Sequence, residues 1–367
     1  MALQIIHIVL GKANPNRMNG VNKVVNSLAT HQAALGYYVS IWGITKSLEI
    51  NYPLRNYNTI LFYDRSKFLI DKKWKFELKQ LDKNTIFHIH GGFIPQFYRI
   101  AKLLRKYGFE YFLTPHGAYN NVALERSATK KKIYIQLFEK WLVKNAKKLH
   151  FIGASEVKNA ENVFNKIPFC LVPNGQEISK EETESISQNK NDHPIFGFIG
   201  RLDLHTKGLD LLLKGFEKYT SEANDSAELW LIGDGPDREE LVSLTHRLGI
   251  DNQIKFLGPL FGVEKTKCLQ QMNYLCLTSR NEGLPGVVLE AAAQGIPSIV
   301  SPETNMGAYL RKYNAGICLY QNNISEISKA LLEATKTNYP KINLMQMLHH
   351  EFDWKTISKQ LIKEYES

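Results

Sequence analysis

The chain has 367 residues, of which 44% are hydrophobic and 22% charged, a balance typical of a folded enzyme and not of a disordered chain. This length exceeds what one hydrophobic core usually serves, so we expect two domains. No run approaches the roughly 18 apolar residues of a membrane-spanning helix, and residues 3–10 read as a first strand, not a signal sequence.

Charge and cysteine content set two further expectations. Residues 1–175 hold 26 Lys and Arg against 10 Asp and Glu, whereas the remainder holds 20 against 26. The basic first half indicates an anionic partner: a membrane surface, a lipid-linked phosphate or a nucleic acid. No nucleic-acid-binding motif accompanies the charge, so we expect no nucleic-acid partner. The four cysteines lie far apart without the paired spacing of a zinc site, which favours a reducing, cytoplasmic setting.

The first half alternates short β-rich runs with stretches whose apolar residues recur at helical spacing. Strands are predicted at residues 3–10, 38–44, 85–90, 111–115 and 149–152, and helices at 21–34 and 95–106. The second half has predicted strands at 195–199, 228–232, 254–257, 274–277 and 297–300, and helices at 208–219, 238–248, 263–271 and from 286 onward. Such alternation predicts parallel, doubly wound α/β sheets.

The boundary between the halves is predicted near residues 173–175, because the polar stretch 179–193 that follows has the composition of a linker. We therefore predict two Rossmann-like domains, residues 1–174 and 175–351, that face each other across a cleft. The segment 354–365 has a helical pattern.

Ligands of open parallel sheets bind beyond the carboxyl ends of the strands, so polar residues just after each strand are candidates. Gly200 and Arg201 follow the strand at 195–199, and Lys207 and Gly208 come at the start of the next helix. An arginine, a lysine and a helix N-terminus suit a diphosphate, since they supply bidentate hydrogen bonds, a point charge and free N–H groups. No divalent ion is then required. A solvated loop with two surface cations is the alternative.

A second group lies between Glu282 and Glu290, after the strand at 274–277. Glu282 falls in a loop, where its carboxylate would accept hydrogen bonds from hydroxyl groups, and Gly283 and Gly286 permit close backbone approach to a ligand. Glu290 sits in an otherwise apolar helix, so it needs a partner or water. A helix-capping Glu282 and a salt-bridged Glu290 would be the purely structural explanation.

These motifs resemble those of the retaining GT-B glycosyltransferases of family 4 (glycosyl transferases group 1), which include bacterial polysaccharide enzymes and sucrose-phosphate synthases. The resemblance covers nearly the whole chain and rests also on residues 231–236 and 255–258. It implies a GT-B fold: α/β, with two Rossmann-like, doubly wound parallel-sheet domains facing across a cleft. The C-terminal helix, residues 352–367, is then expected to pack back on the first domain.

The resemblance also implies roles for residues of the second domain. Arg201 and Lys207 would bind the donor diphosphate and stabilise the departing nucleotide, the task that a metal performs in other transferases. Glu282 would contact the donor sugar and Glu290 the ribose. The other implied donor contacts are Gly200, Phe256, Leu257, Leu284, Pro285, Gly286 and Val287. No metal and no cofactor is expected, because the nucleotide diphosphate sugar is a substrate.

In the first domain the resemblance indicates Gly20 and His116. Gly20 matches a glycine loop that approaches the donor phosphates, although Asn19 replaces one of the two usual glycines; a plain helix start is the alternative. His116 follows the strand at 111–115 and matches a catalytic-site histidine that contacts the donor sugar. His88 and His90 alternate along a strand. A metal site would need a third ligand, so we interpret them as strand and cleft-lining residues.

A basic segment spans residues 130–148, where lysines surround Ile133, Leu137, Trp141 and Leu142. Its plain interpretation is a solvated helix face. The alternative is peripheral contact with anionic lipids at the inner face of the cytoplasmic membrane, which would bring the enzyme to a lipid-linked acceptor. Acceptor specificity is expected around residues 14–18, 91–97 and 119–126.

Together these features predict a metal-independent, retaining hexosyltransferase in cell-surface polysaccharide synthesis. Its donor would be a UDP-sugar, of the UDP-glucose type in preference to GDP-mannose, and its acceptor a saccharide or a lipid-linked saccharide. No residue supplies the nucleophilic carboxylate of a retaining glycosidase, so we expect same-face attack. A sugar-nucleotide epimerase or hydrolase and a non-catalytic sugar-nucleotide-binding protein are the alternatives. The first strand lacks the dinucleotide fingerprint of a nicotinamide oxidoreductase.

Overall fold

The computed structural model describes residues 3–15, 20–65, 68–120, 124, 128–178, 193–223 and 226–367. Asn19, most of the predicted acceptor segments 14–18 and 119–126, and nearly all of the linker-like stretch lie outside the described residues. The chain divides into two compact units. The N-terminal unit comprises Met1–Gly175 with Trp354–Ser367, and the C-terminal unit comprises Gln176–Asp353.

A parallel sheet of seven strands forms the centre of the N-terminal unit. The strands are β1 Gln4–Leu10, β2 Tyr38–Thr45, β3 Asn58–Tyr63, β4 Thr85–His90, β5 Tyr111–Thr114, β6 Lys148–Phe151 and β7 Phe169–Leu171. Their order across the sheet is β3-β2-β1-β4-β5-β6-β7. The chain order reverses between β1 and β4, so the loops that follow these two strands meet at the point where such sheets bind ligands.

Helices cover both faces of this sheet. They are α1 Gly20–Ala34, α2 Lys73–Leu78, α3 Pro95–Lys106, α4 Ala128–Tyr134, α5 Lys140–Lys144 and α6 Ala154–Phe164, with a π-helical turn at Ile135–Glu139 between α4 and α5. The helix α3 shows why they form: it begins with Pro95, whose missing N–H is not needed there, and it buries Phe97, Ile100 and Leu104 at helical spacing.

The last helix of the chain belongs to the N-terminal unit. The helix α15, Trp354–Glu366, buries its apolar face against Ile5 and Phe112 of the sheet. The indole of Trp354 in this helix packs closely against the backbone at Gly175, where an added Cβ would come within 2.5 Å of the ring. Glycine is therefore required at 175 for this close packing.

The C-terminal unit repeats the architecture with six parallel strands. They are β8 Ile195–Ile199, β9 Glu228–Ile232, β10 Ile254–Gly258, β11 Tyr274–Leu277, β12 Ser298–Val300 and β13 Gly316–Cys318, in the order β10-β9-β8-β11-β12-β13. The helices are α7 Leu204–Lys207, α8 Leu209–Ala223, α9 Arg238–Leu248, α10 Gly262–Gln271, α11 Gly286–Ala293, α12 Gly307–Tyr313, α13 Ile324–Lys336 and α14 Lys341–Met347. Here the order reverses between β8 and β11.

The prediction of doubly wound parallel sheets is confirmed, but three strands were missed. The strands β3, β7 and β13 each lie at a sheet edge. Edge strands have one neighbour and are partly exposed, and these three contain six residues or fewer with at most one fully buried side chain. The strands β7 and β13 have three residues each, too few for the apolar run that marks a central parallel strand, whereas β3 was missed although it contains such a run at residues 60–63. No helix among the described residues is long and apolar enough to cross a membrane.

Candidate functional site

In the C-terminal unit the loop that follows β8 turns directly into the short helix α7. Leu202 is buried, whereas Arg201 is exposed. The Asp203 carboxylate caps α7 by accepting a hydrogen bond of 2.9 Å from the Thr206 backbone N–H. Burial acts to raise the pKa of Asp203, but this bond and the charge of Arg201 outweigh it, so the pKa is lowered. Asp203 therefore stays ionised and holds the loop shape that presents Arg201.

Glycine is required where the loops of β8 and β11 approach each other. Gly208 has φ of +63° and lies so close to the β11 loop that an added Cβ would sit 2.2 Å from the Thr278 carbonyl oxygen. Thr278 Oγ1 in turn donates to the Gly208 carbonyl at 3.1 Å. The start of α8 is thus fixed against the loop that carries Glu282.

Lys207 and Glu282, predicted from separate motifs, form an ion pair in the structure. Glu282 Oε1 also accepts a hydrogen bond of 2.8 Å from the Ser279 hydroxyl. Both charged side chains remain partly exposed, at 21% and 16%, so a ligand can reach them. Glu282 does not cap the helix α11, which was the purely structural explanation for this residue. The capping position is held by Pro285, which makes no side-chain hydrogen bond to the helix.

A second arginine orders this loop. Arg280 makes a bidentate ion pair with Asp210 of α8, with N···O distances of 2.9 and 2.8 Å. The same guanidinium donates to the Leu204 carbonyl at 2.7 Å. The amide of Asn305 donates to the carbonyls of Glu282 and Gly283 at 3.0 and 2.7 Å. The backbone around Glu282 is therefore held from both sides.

The helix α11 begins at Gly286 after the strand β11 and has no side-chain cap, so its first turn has backbone N–H groups without a capping side chain. Leu284 and Pro285 are buried and Val287 is half-buried, whereas Gly286 is exposed and an added Cβ there would meet nothing within 4 Å. The N-terminus of such a helix attracts anions through its free N–H groups and its dipole. Packing alone gives no reason for glycine at 286, which agrees with an approach by a ligand.

Glu290 has a cationic partner, as its apolar surroundings require. Lys265 of α10 pairs with its carboxylate, and both side chains are partly exposed. This salt bridge is what the purely structural explanation of Glu290 predicts. Because it involves Oε2, it leaves Oε1 of Glu290 available for a further hydrogen bond.

At the end of β10, Phe256 is half-buried with the Arg238 guanidinium 5.7 Å from its ring, and Leu257 is 38% exposed.

In the N-terminal unit, Gly20 is exposed at the first position of α1 and an added Cβ would meet nothing within 4 Å. His116 follows β5 with φ of +51°, an uncommon conformation for a residue with a side chain. The next residue, Gly117, has φ of +81°, and its N–H donates to the buried Glu156 carboxylate. Burial and the neighbouring His150 lower the pKa of His116 to about 3, so this imidazole is neutral at pH 7.

The interpretation of His88 and His90 as cleft-lining residues is wrong. They are 0% and 1% exposed, and they lie on the face of the sheet that α1 and α15 cover. His7 of β1 lies directly beside them and supplies a third imidazole, which the spacing of His88 and His90 alone does not predict. The pairing of β1 with β4 places His7 opposite His88, a relationship that separate stretches of sequence do not reveal.

The buried Glu139 links two predicted acceptor segments. One carboxylate oxygen accepts from the Phe93 N–H at 3.0 Å and from the Tyr119 hydroxyl at 2.7 Å. Burial raises the pKa of Glu139, and these two bonds oppose the rise. Phe93 has φ of +57°, so this carboxylate also stabilises an uncommon backbone conformation.

The basic segment carries an exposed apolar pair. Ile133 and Leu137 are 57% and 60% exposed, whereas Leu142 is buried. Phe138 contacts Phe68 with ring centroids 5.1 Å apart, and Phe68 is itself 37% exposed. The segment is therefore more than a solvated charged face, because exposed apolar side chains accompany its lysines.

Two family models match the chain in tandem. Glycosyltransferase Family 4 matches residues 18–180, and Glycosyl transferases group 1 matches residues 179–348. The chain belongs to the family 4 glycosyltransferases. Its two parallel-sheet units have the GT-B fold: HepE from Anabaena, solved with UDP and glucose, matches with a TM-score of 0.68 at 14% identity over 99% of each chain.

Curated relatives of this glycosyltransferase agree with the family. It is 27% identical to an uncharacterised glycosyltransferase from Haemophilus influenzae over 87% of each chain. It is 26% identical to another from Methanocaldococcus jannaschii over 48% of this chain and 45% of that protein, so this match spans less than half of the archaeal relative. It is 23% identical to the lipopolysaccharide core biosynthesis glycosyltransferase LpsE from Rhizobium meliloti, over 43% of this chain and 44% of the relative.

Several structural partners in this glycosyltransferase were missed by sequence reasoning. Ser279, Asn305 and Lys265 hold Glu282, its loop and Glu290, respectively. Ser279 lies three residues before Glu282 after a strand, a signal that could have been used. Asn305 and Lys265 are distant in sequence, and only the fold brings them to the site.

Proposed function

We propose that this protein transfers a hexose from a UDP-sugar to a saccharide or lipid-linked acceptor with retention of the anomeric configuration. The observation that carries the proposal is the juxtaposition of Lys207, Glu282 and the open N-terminus of α11 at the carboxyl edge of one sheet. A cation and free backbone N–H groups suit a diphosphate, and a carboxylate beside them suits sugar hydroxyls.

Lys207 can serve the donor while it remains paired with Glu282. An ammonium group has three N–H donors, of which the ion pair uses one. Two remain for phosphate oxygens, and the exposed Arg201 supplies a second cation from the same loop. These charges would stabilise the leaving diphosphate without a divalent ion, so we expect the transfer rate to be unchanged by EDTA.

We infer that the acceptor hydroxyl attacks on the face that the nucleotide leaves. The C1–O bond to the diphosphate breaks, the C1–O bond to the acceptor forms, and the acceptor proton passes to the departing phosphate oxygen. Arg201 and Lys207 hold that phosphate, and neither changes its protonation state. Glu282, bonded to Lys207 and Ser279, is oriented as a hydrogen-bond acceptor for the sugar and not as a nucleophile.

Cell-surface polysaccharide synthesis is the biological setting we propose. The similarity to a lipopolysaccharide core enzyme supports it. The exposed Ile133 and Leu137, flanked by lysines of the same helical segment, would let the N-terminal unit touch an anionic membrane where a lipid-linked acceptor resides.

Calorimetric titration with UDP, GDP, ADP and their glucose and mannose derivatives tests the donor assignment. We expect UDP and UDP-glucose to bind, and binding of none of these nucleotides would overturn the proposal. NMR of the product would then read the anomeric configuration. Turnover of the donor alone, as fast as with added acceptor, would instead indicate a hydrolase or epimerase.

A further inference from the structure

Buried imidazoles form a hydrogen-bonded network between the sheet of the N-terminal unit and the helices α1 and α15. Strand pairing places His7 opposite His88 and His90 opposite Thr114 on one face. His7, His88, His90 and His150 are at most 2% exposed, and burial lowers the pKa of each ring. Each ring is therefore neutral at pH 7 and has one N–H and one lone pair.

A backbone carbonyl sets the direction of one arm of this network. Val172 O can only accept, so His150 Nε2 donates to it at 2.8 Å. His150 Nδ1 then accepts from the Thr114 hydroxyl at 2.8 Å, and Thr114 Oγ1 accepts from His88 Nε2 at 2.6 Å. His88 Nδ1 is left to accept from the Tyr365 hydroxyl at 2.6 Å.

The other arm runs from α1 to His116. Gln32 Oε1 can only accept, so His7 Nε2 donates to it at 2.7 Å. His7 Nδ1 then accepts from His90 Nε2 at 2.9 Å. His90 Nδ1 in turn accepts from His116 Nε2 at 3.1 Å. His116 is neutral too, so its N–H is committed to His90 and its lone pair lies on Nδ1.

The orientation of the Gln32 amide connects the two arms. The Tyr365 O–H is committed to His88, so its oxygen is open only to donors. Burial raises the pKa of Tyr365, and Gln32 acts to lower it. An amide N–H of Gln32 that faces the Tyr365 oxygen would have this effect. Gln32 Nε2 forms no hydrogen bond of ordinary geometry among the described residues, so this link is weak. It nevertheless agrees with the placement of Oε1 toward His7.

We propose that this network fixes His116 as the Nε2–H tautomer and makes its Nδ1 an obligate hydrogen-bond acceptor. The inference rests on the proposed function, together with the expectation from the family resemblance that His116 contacts the donor sugar. A sugar hydroxyl would then donate to Nδ1, whereas a phosphate or carbonyl oxygen at the same place would be repelled. Gln32, His7 and His90 are positioning residues, because they act through His116.

A metal ion is the competing occupant of these rings. The ligand nitrogens of His7, His88 and His90 lie within 4.8 Å of one another. Coordination by three imidazoles requires three lone pairs directed at one ion. Here the lone pair of each ring already accepts a hydrogen bond, from His90, Tyr365 and His116, respectively. The geometry therefore favours hydrogen bonding over a metal centre.

Histidine-selective ¹⁵N labelling of the full chain distinguishes the tautomers at pH 7 without substrate. Long-range ¹H–¹⁵N spectra, assigned by the loss of single signals in His→Asn variants, should show protonated Nε2 and bare Nδ1 for His7, His90 and His116. A protonated Nδ1 on His116, or a doubly protonated ring, overturns the proposal. Stoichiometric Zn²⁺ whose removal by EDTA shifts the His7, His88 and His90 signals also overturns it. Failure of the donor titration would instead refute the proposed function and leave these spectra unchanged.

Two substitutions at one position test the positioning role. Gln32→Met removes the acceptor of His7, so His116 should become a mixture of tautomers and kcat/KM should fall about tenfold. Gln32→Glu retains an acceptor oxygen and should keep the wild-type tautomer. Gln4→Met is the matched control, since the Gln4 side chain in β1 of the same unit also accepts a hydrogen bond, from the Thr85 hydroxyl at 3.0 Å, but lies outside the network. A folded Gln32→Met protein with an unchanged His116 tautomer contradicts the proposal, and if that variant does not fold, the wild-type spectrum still decides.

Discussion

Lys207 and Glu282 form an ion pair between the end of α7 and the loop after β11, although 75 positions separate them in the chain. Neutralising either one would leave the other partly buried without its counter-charge. We expect Lys207→Met and Glu282→Gln each to lower kcat/KM about 100-fold, with a double variant less impaired than the product of the two effects. Steady-state kinetics with the best-binding donor measure this.

Lys218→Met is the control for that cycle. Lys218 pairs with Glu222 on the exposed face of α8, with both side chains at least 42% exposed, so its loss should leave kcat/KM unchanged. Wild-type transfer by Lys207→Met would contradict the donor-site assignment. A Lys218→Met enzyme as impaired as Lys207→Met would show that the measured loss is a general effect of charge.

Alanine substitution at two glycines near the same loops should affect different properties, stability at Gly208 and donor binding at Gly286. Gly208→Ala places a methyl group 2.2 Å from a backbone oxygen at positive φ, so we expect a loss of roughly 3 kcal/mol or more in the free energy of unfolding. Gly286→Ala meets nothing within 4 Å and should leave stability within about 1 kcal/mol, because alanine favours helices. Its methyl group would instead obstruct the ligand, and we expect donor affinity to fall about tenfold.

Urea unfolding and donor calorimetry on the two alanine variants separate these effects. A Gly286→Ala protein that binds the donor as tightly as wild type would show that no ligand approaches the start of α11. A Gly208→Ala protein of wild-type stability would show that the β8 and β11 loops can separate without cost.

Central strands and motif residues could be predicted from the sequence because each depends on a local pattern. The run 195–199 followed by Arg201 and Lys207 is an example: an apolar strand must end where polar residues begin. The histidine network was not accessible, because His7 and His90 bond across 83 positions through strand pairing. Lys265 was missed for the same reason, since only the packing of α10 beside α11 reveals the partner of Glu290. Edge strands such as β13 were missed because partial exposure weakens their apolar signal.

The buried histidines should make the N-terminal unit sensitive to acid. Burial lowers the pKa of His7 and of His150 from 6.5 to about 4. Between these values the unfolded chain binds protons that the folded chain excludes, so stability is fully present above pH 6.5 and falls as the pH drops to 4. His7 alone accounts for about 3 kcal/mol over this window. Glu139 and Glu156 oppose the trend, because burial raises their pKa values.

Tryptophan fluorescence follows this transition well, because Trp42, Trp74, Trp141 and Trp354 lie in the N-terminal unit. Urea midpoints at pH 7, 6 and 5 should fall progressively. In His150→Gln the free energy of unfolding should depend on pH less steeply, by the equivalent of about one proton. Replacing the exposed His349 should leave this pH dependence unchanged. Midpoints that stay constant from pH 7 to pH 5 would show that the folded and unfolded chains bind the same number of protons, which contradicts the lowered pKa values of these imidazoles.

The exposed pair Ile133 and Leu137 should govern contact with anionic bilayers. Apolar side chains insert at the interface while neighbouring lysines attract anionic headgroups, so binding needs both. We expect the protein to sediment with vesicles of phosphatidylglycerol and phosphatidylcholine but not with phosphatidylcholine alone. Ile133→Glu with Leu137→Glu should lower the bound fraction about tenfold or more, because two apolar contacts are replaced by two like charges. Leu54→Glu is the control, since Leu54 is fully exposed outside this segment. Equal loss with Leu54→Glu would assign the effect to net charge, and wild-type protein that stays in the supernatant would refute membrane contact.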